Sequence, residues 1–125
     1  RYKNWFILIH NIKGSSITEG IGQGRLTDNL KGSPIDESLF VHDNEAVNIT
    51  FRMLYEERFF VGATSGLNVA AAIQVAKLMG PGRTIVTCIC DTGSKYIKRL
   101  YSRAELEKRN LIEAVPHEYR KFLNP

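Results

Sequence analysis

Phe59-Phe60-Val61-Gly62-Ala63-Thr64-Ser65-Gly66 leads into the apolar run Leu67-Asn68-Val69-Ala70-Ala71-Ala72-Ile73-Gln74-Val75-Ala76-Lys77-Leu78-Met79, and Gly80-Pro81-Gly82 separates that run from Thr84-Ile85-Val86-Thr87-Cys88-Ile89-Cys90. The first three residues are β-formers and predict a brief strand, which Gly62 to Gly66 turn into a helix. That helix, over about 67–79, is apolar nearly all round, so it must be covered on both sides. Glycine and proline at 80–82 stop it. Residues 84–90 are apolar and β-branched without a polar alternation, the pattern of a central parallel strand. Asp91-Thr92-Gly93 then ends the strand at the carboxyl edge, where open α/β sheets keep their sites. Strand, helix, strand in this order predicts an α/β chain with a right-handed crossover.

Upstream of this unit, Asp43 reads as the N-cap of a helix over 44–57, with Val47, Phe51 and Leu54 on one buried stripe. Leu39-Phe40-Val41 predicts a short strand, Gly32-Ser33-Pro34 a turn, and residues 2–12 a further strand. Between them lies a polar, glycine-dense stretch over 14–25, where alternate glycines at 20, 22 and 24 forbid a regular element. It reads as a loop whose backbone something approaches closely. Downstream, residues 94–100 and 103–109 predict two short basic helices, and Tyr119 and Phe122 in the mixed tail are expected to dock on the body. Three or four short strands are too few to sheath the apolar helix. The expected fold is therefore α/β with an incomplete open, mostly parallel sheet flanked by helices.

The chain has 125 residues, room for one modest domain. At 43% hydrophobic and 24% charged it is ordinary for a globular protein, which disfavours disorder. No uncharged apolar run reaches the ~18 residues of a bilayer-crossing helix, so a membrane span is excluded. A soluble protein of the cytoplasm or the mitochondrion is expected. The net charge of +4 is unevenly placed: residues 1–91 hold nine basic and nine acidic residues, and residues 92–125 hold eight basic against four acidic. Lys95, Lys98, Arg99 and Arg103 with Tyr96 and Tyr101 imitate a nucleic-acid surface, but such runs are usually solvated helix faces, and no nucleic-acid partner is expected. Cys88 and Cys90 lie on one face of the predicted strand and make neither a good disulfide pair nor a four-ligand metal site, so they read as structural thiols. The chain opens on Arg1, and Trp5-Phe6-Ile7-Leu8-Ile9 is too short for a signal peptide, so the sequence reads as an incomplete piece.

Two local motifs could carry chemistry. Gly20-x-Gly22-x-Gly24 is not the G-x-G-x-x-G of dinucleotide sites and has neither the strand before it nor the helix after it. At Gly62-Ala63-Thr64-Ser65-Gly66, the first N–H groups of the helix and two hydroxyls converge where a ligand atom could sit. A simple cap by Thr64 or Ser65 explains the same residues. His10, His42 and His117 are scattered, which leaves no triad or zinc set, and no metal is expected.

Taken together, three ordered passages resemble the C-terminal third of the cysteine synthase (O-acetylserine sulfhydrylase) family, pyridoxal-phosphate enzymes with a tryptophan synthase β-like fold. They are Ser15-Ser16-Ile17-Thr18-Glu19-Gly20-Ile21-Gly22-Gln23-Gly24-Arg25, Phe60-Val61-Gly62-Ala63-Thr64-Ser65-Gly66-Leu67-Asn68-Val69-Ala70-Ala71-Ala72 and Ile85-Val86-Thr87-Cys88-Ile89-Cys90-Asp91-Thr92-Gly93-Ser94-Lys95-Tyr96. The likeness spans about 14–102, leaving 1–13 as an unmatched N-terminal segment and 103–125 as a basic C-terminal tail of one fragment.

The resemblance implies that Gly20, Ile21 and Gly22 wall the active site, that the Thr64 hydroxyl hydrogen-bonds the cofactor's pyridine nitrogen, and that Asp91 lies near the ring's edge. Cys90 stands where the family more usually has proline. An alcohol cannot protonate the pyridine as a carboxylate would, which keeps the ring a moderate electron sink suited to expelling a β-leaving group. The implied reaction is β-replacement, in which an activated serine loses its leaving group and sulfide adds to give cysteine. The resemblance further implies a homodimer when complete.

None of Lys3, Lys13, Lys31, Lys77, Lys95, Lys98, Lys108 or Lys121 has the serine-x-lysine setting of the family's cofactor-bearing lysine, and the phosphate cup and asparagine-bearing substrate loop are missing too. The chain alone is therefore expected to hold the cofactor loosely and to be inactive. A truncated or pseudoenzyme remnant with only an interaction role, and cystathionine β-synthase-like use of homocysteine, are the alternatives.

Overall fold

Two helices and a folded tail organise the chain in a computed structural model, which describes residues 6–8, 16–19, 21, 28–29 and 31–125. Helix α1 spans Asp43–Tyr55 and helix α2 spans Ala63–Met79. Asp43 and Glu45 in the first turn of α1 and Arg52 in its last suit the helix dipole. Ala46, Val47, Thr50, Phe51 and Met53 are its buried residues. Against them α2 buries Leu67, Ala70, Ala71 and Val75.

The helices close tightly because residue 66 has no side chain. A Cβ on Gly66 would overlap the Thr50 hydroxyl and the Ala46 carbonyl, which are themselves joined by a 2.6 Å hydrogen bond from Thr50 Oγ1. One apolar cluster gathers Ile17, Val47, Phe51 and Ala63 with Tyr96, Leu100, Tyr101, Leu106, Leu111 and Val115 of the tail. A second joins Val41, Ala46, Leu67, Ala70 and Ala71. The tail itself is short turns: 3-10 helices at Gly93–Tyr96, Ile112–Ala114 and His117–Phe122 around helix α3, Arg103–Lys108. Tyr119 stacks on Tyr55 with ring centroids 4.4 Å apart, and Phe122 lies 5.2 Å from the same ring, so both tail aromatics dock as expected.

Several expected boundaries shift. Helix α2 begins at Ala63 instead of about 67, so Ala63, Thr64, Ser65 and Gly66 are its first turn. Asp43 is not a cap: His42 holds that place without a side-chain bond, and the Asp43 carboxylate instead accepts from Ser16 Oγ at 2.6 Å and the Ile17 N–H at 2.8 Å. The strand placed at 39–41 is β2, Glu37–Leu39, in parallel register with β1, Phe6–Leu8. Residues 94–100 form one 3-10 turn and a bend where a helix was expected, since Tyr96, Leu100 and Tyr101 all turn inward.

The sheet is where the structure differs most. At 59–61 there is a single bridge, Val61 to Thr92, and it is antiparallel, with Gly62 N–H on the Asp91 carbonyl at 2.9 Å and Gly93 N–H on the Phe60 carbonyl at 3.0 Å. A parallel crossover between 59–61 and 84–90 is therefore not formed among the described residues. Residues 84–90 have no ladder partner among the described residues, and Val86 is 89% and Ile89 49% exposed. With no strand beside them, a β-rich sequence has nothing to pair with. Cys88 and Cys90 are accordingly exposed free thiols instead of buried ones. The described chain is thus a mixture of helices and a few short strands. Among the described residues no helix is long and apolar enough to cross a membrane.

Candidate functional site

Thr64 lies in the first turn of α2, half-buried, and its Oγ1 donates to the Glu19 carbonyl at 3.0 Å. That single bond brings the loop ahead of Gly20 to the start of the buried helix, across 45 residues of sequence. Ile21 follows on the same loop and packs against the cluster containing Leu67 and Ala70. Gly20 and Gly22 lie outside the described residues. Ser65, beside Thr64, is fully buried and is occupied differently, its Oγ accepting from the Cys90 N–H at 2.9 Å. Of the two hydroxyls offered by the turn, Thr64 is therefore the one near the loop, and Ser65 fastens residue 90. Neither caps α2, whose N-cap is Gly62 with no side-chain bond.

Asp91 is carried to the same region by its backbone bond to Gly62. Its carboxylate accepts from the Tyr96 hydroxyl at 2.7 Å and pairs with Lys95 at 3.3 Å. These partners, Tyr96 first and Lys95 second, hold it below the usual carboxylate range. In return the Asp91 carboxylate, and then burial, push the Tyr96 phenol up to about 12. Gly62 and Gly93 are needed for this fit: a Cβ on Gly62 would meet the Tyr96 ring at 2.5 Å, and one on Gly93 the Phe60 ring at 2.5 Å.

Charges missed in the sequence hold the loop. Arg99, placed there on a solvated basic face, turns inward instead: its Nη2 donates to the Ser16 carbonyl at 2.9 Å and its Nη1 pairs with the Glu19 carboxylate. Ser16 and Ile17 are tied in turn to Asp43. A run of basic residues gives no local sign of which one will fold inward. The signal lies in Leu100 and Tyr101, whose burial fixes the direction of the turn that carries Arg99. Among the described residues no group of three or more His, Cys, Asp or Glu is placed to hold a metal.

No protein-family model matches the chain. It is 47% identical over 112 residues to cysteine synthase 1 of Neurospora crassa, a match covering 88% of this chain and 30% of that protein. The chain belongs to the cysteine synthase family. Cysteine synthase 1 of Emericella nidulans is 45% identical over the same shares, and cysteine synthase 2 of Schizosaccharomyces pombe is 39% identical over 81% of this chain and 26% of its own length. The chain thus spans about 30% of the length of the cysteine synthases it matches.

Pyridoxal phosphate, which the cysteine synthase family implies, can be tested against these residues. Thr64 offers a neutral hydroxyl at a helix start that donates to the Glu19 carbonyl here and carries the one rotatable proton that a bond to a ring nitrogen requires. The nearby carboxylate of Asp91 is already taken by Tyr96 and Lys95, which suits a neutral partner for a ring nitrogen. The residues fit the nitrogen side of the cofactor.

Proposed function

We propose that this chain is the C-terminal portion of a cysteine-synthase-like enzyme and supplies the pyridine-side wall of its cofactor pocket. The observation that supports the reading is the meeting of three separate motif stretches around Thr64, through its bond to Glu19, the Gly62 bond to Asp91 and the Ser65 bond to residue 90. Residues far apart in sequence converge on the first turn of one helix. When bound, pyridoxal phosphate supplies the electron sink with which O-acetylserine exchanges acetate for sulfide. Thr64 would hydrogen-bond the ring nitrogen, and Gly20, Ile21, Gly22 and Asp91 would line the pocket. Because Asp91 is held ionised by Tyr96 and Lys95, it does not hand a proton to the ring. The sheet is read as open and mostly parallel, completed by strands beyond those described. The parallel pairing of β1 with β2 and the unpaired residues 84–90 support that. A homodimer of the whole enzyme is part of the same reading.

The test supplies in trans the lysine-bearing N-terminal portion of a family member. Sulfide-dependent cysteine formation is expected from the mixture and not from the chain alone, with Thr64→Val removing most of it. A stable cofactor absorbance on the chain by itself, abolished by changing one of its own lysines, would overturn the reading. The exposed apolar residues 84–90 also support a second reading, a remnant that only binds a partner. A mixture that assembles but makes no cysteine with either sulfide or homocysteine would favour that second reading.

A further inference from the structure

Thr64 Oγ1 donates its single proton to the Glu19 carbonyl at 3.0 Å, and among the described residues no other group donates to that carbonyl. The residues just before it are fastened differently. Asp43 accepts from Ser16 Oγ at 2.6 Å and from the Ile17 N–H at 2.8 Å, and Arg99 Nη2 donates to the Ser16 carbonyl at 2.9 Å. Ile17 is buried beside Leu100, and Thr18 is buried as well. Glu19 is exposed, and the ion pair of its carboxylate with Arg99 lies open to solvent on both sides. The anchoring thus changes character between residues 18 and 19, from buried and many-sided to one hydroxyl and one surface ion pair.

A carbonyl oxygen and an unprotonated ring nitrogen are both acceptors, and a threonine hydroxyl has one proton to offer. If Thr64 turns that proton to a ring nitrogen, a rotation about the Cβ–Oγ bond, the Glu19 carbonyl loses its donor. Water can replace the donor at the surface, so the loss is small for an exposed carbonyl and large for a nitrogen enclosed in a pocket. The two acceptors exclude each other at Thr64, and the enclosed one is favoured.

We propose that the Glu19 carbonyl and the cofactor's ring nitrogen compete for the Thr64 proton, so that cofactor binding releases the Glu19 peptide while residues 16–18 stay anchored. The competition rests on the proposed contact of Thr64 with the ring nitrogen and states what that contact displaces. Such linkage is reciprocal: a change that loosens Glu19 strengthens cofactor binding by the same factor. A segment that merely supports the pocket gives the opposite sign, since loosening a wall weakens what it holds.

Isotope labels at the Glu19 carbonyl carbon and at the ring nitrogen of pyridoxal phosphate read both acceptors by magnetic resonance. In the chain alone, Thr64→Val should move the Glu19 resonance and Thr64→Ser, which keeps the proton, should not. In the enzyme completed with the lysine-bearing portion, pyridoxal phosphate should move the Glu19 resonance toward its Thr64→Val position and leave the Ile17 amide where it was. Glu19→Gln and Arg99→Met each remove the ion pair, with opposite changes of charge. Both are expected to tighten pyridoxal phosphate binding by about two- to tenfold, the worth of one hydrogen bond. A Glu19 resonance indifferent to Thr64→Val or to pyridoxal phosphate overturns the competition, as does weaker binding in both variants or a shift of opposite sign in the two. The ring nitrogen separates that failure from failure of the underlying reading. If its resonance differs between the native enzyme and Thr64→Val while Glu19 does not respond, the contact stands and the competition falls; if it is the same in both, the two fall together.

Discussion

The pair of helices α1 and α2 and residues 84–90 both carry apolar side chains that call for cover, yet the first is packed and the second is bare. Phe51 and Leu67 are each 1% exposed, while Val86 is 89% and Ile89 is 49% exposed. The difference is one of partners. Helix α1 finds α2 twenty residues on, and Gly66 lets the two meet closely. Residues 84–90 carry the pattern of a strand covered on both sides, but the described residues offer tethers from Asn68 and Ser65, among them Asn68 Nδ2 on the Cys88 carbonyl at 3.0 Å, the Thr87 hydroxyl on the Asn68 carbonyl at 3.3 Å, and Ser65 Oγ under the Cys90 N–H. An apolar pattern therefore states that burial is needed and leaves open which segment supplies it.

Stability measurements on the full chain can break that comparison most directly. Phe51→Ala removes a buried ring from the cluster shared by α1 and the tail, and a loss of about 3–5 kcal/mol is expected in chemical unfolding. Val86→Ala should cost less than about 0.5 kcal/mol, as exposed substitutions do. Equal losses for the two would show that 84–90 is covered in solution. When the lysine-bearing portion is added in trans, the Val86 effect should grow toward the core value and the Phe51 effect should not.

Next in size is Gly66→Ala, which tests how the packed half is held. A methyl there would overlap Thr50 Oγ1 and the Ala46 carbonyl, so the helices must part, with an expected cost of about 1–3 kcal/mol despite the better helix propensity of alanine. Adding Thr50→Ser does not clear the hydroxyl, whereas Thr50→Ala does and should recover part of the loss. A stabilising Gly66→Ala, read from the unfolding midpoint, would contradict the close crossing.

The same division governs what could be read from the sequence. The two helices and the breakers at 80–82 were legible because each rests on spacing within a few turns. So was the turn that carries Thr64, although α2 absorbs it as its first turn. The strands were less so, since a ladder depends on a neighbour and the bridge formed at 59–61, Val61 to Thr92, is antiparallel where a parallel crossover was expected. Asp43 looked like a cap because a carboxylate before a helix usually is one, but the Ile17 N–H competes for it across 26 residues of sequence. Arg99 gave no sign within the basic run itself, only through its apolar neighbours Leu100 and Tyr101. Long-range polar ties of this kind are set by the fold that brings the groups together, and they decide how the candidate site is held.

Between these scales lies the Tyr96–Asp91 contact, where pH is the lever. The Tyr96 phenol is raised to about 12, so its contribution is fully present below the ordinary tyrosine value of about 10 and is lost as pH rises through about 12. Asp91 is lowered, so its contribution is present above the ordinary carboxylate range and is lost as pH falls through its depressed value. Ultraviolet titration of the tyrosines should show one phenol near 12 that Tyr96→Phe removes and that Asp91→Asn brings back toward 10. A titration unchanged by Asp91→Asn would break the link between the two residues.

The smallest effect is a reaction rate, and it measures the bare segment itself. Cys88 and Cys90 are free and exposed, so both should react with a disulfide reagent under native conditions, without the denaturant that buried thiols require. Partial desolvation of its sulfur, then Cys88, then Asp91 push the Cys90 thiol above its ordinary value, while the Asn68 amide, 3.4 Å from the sulfur, opposes them. Less thiolate at a given pH means slower attack, so Cys90 is expected to react slowly near neutral pH and to speed up as pH rises. Asp91→Asn removes one of the charges that disfavour the Cys90 thiolate and should speed Cys90 while leaving Cys88 as it was. Single-cysteine variants separate the two rates. If the lysine-bearing portion of the enzyme pairs with 84–90, both thiols should slow together on its addition. Thiols equally fast with and without that portion would mean that it does not cover the segment.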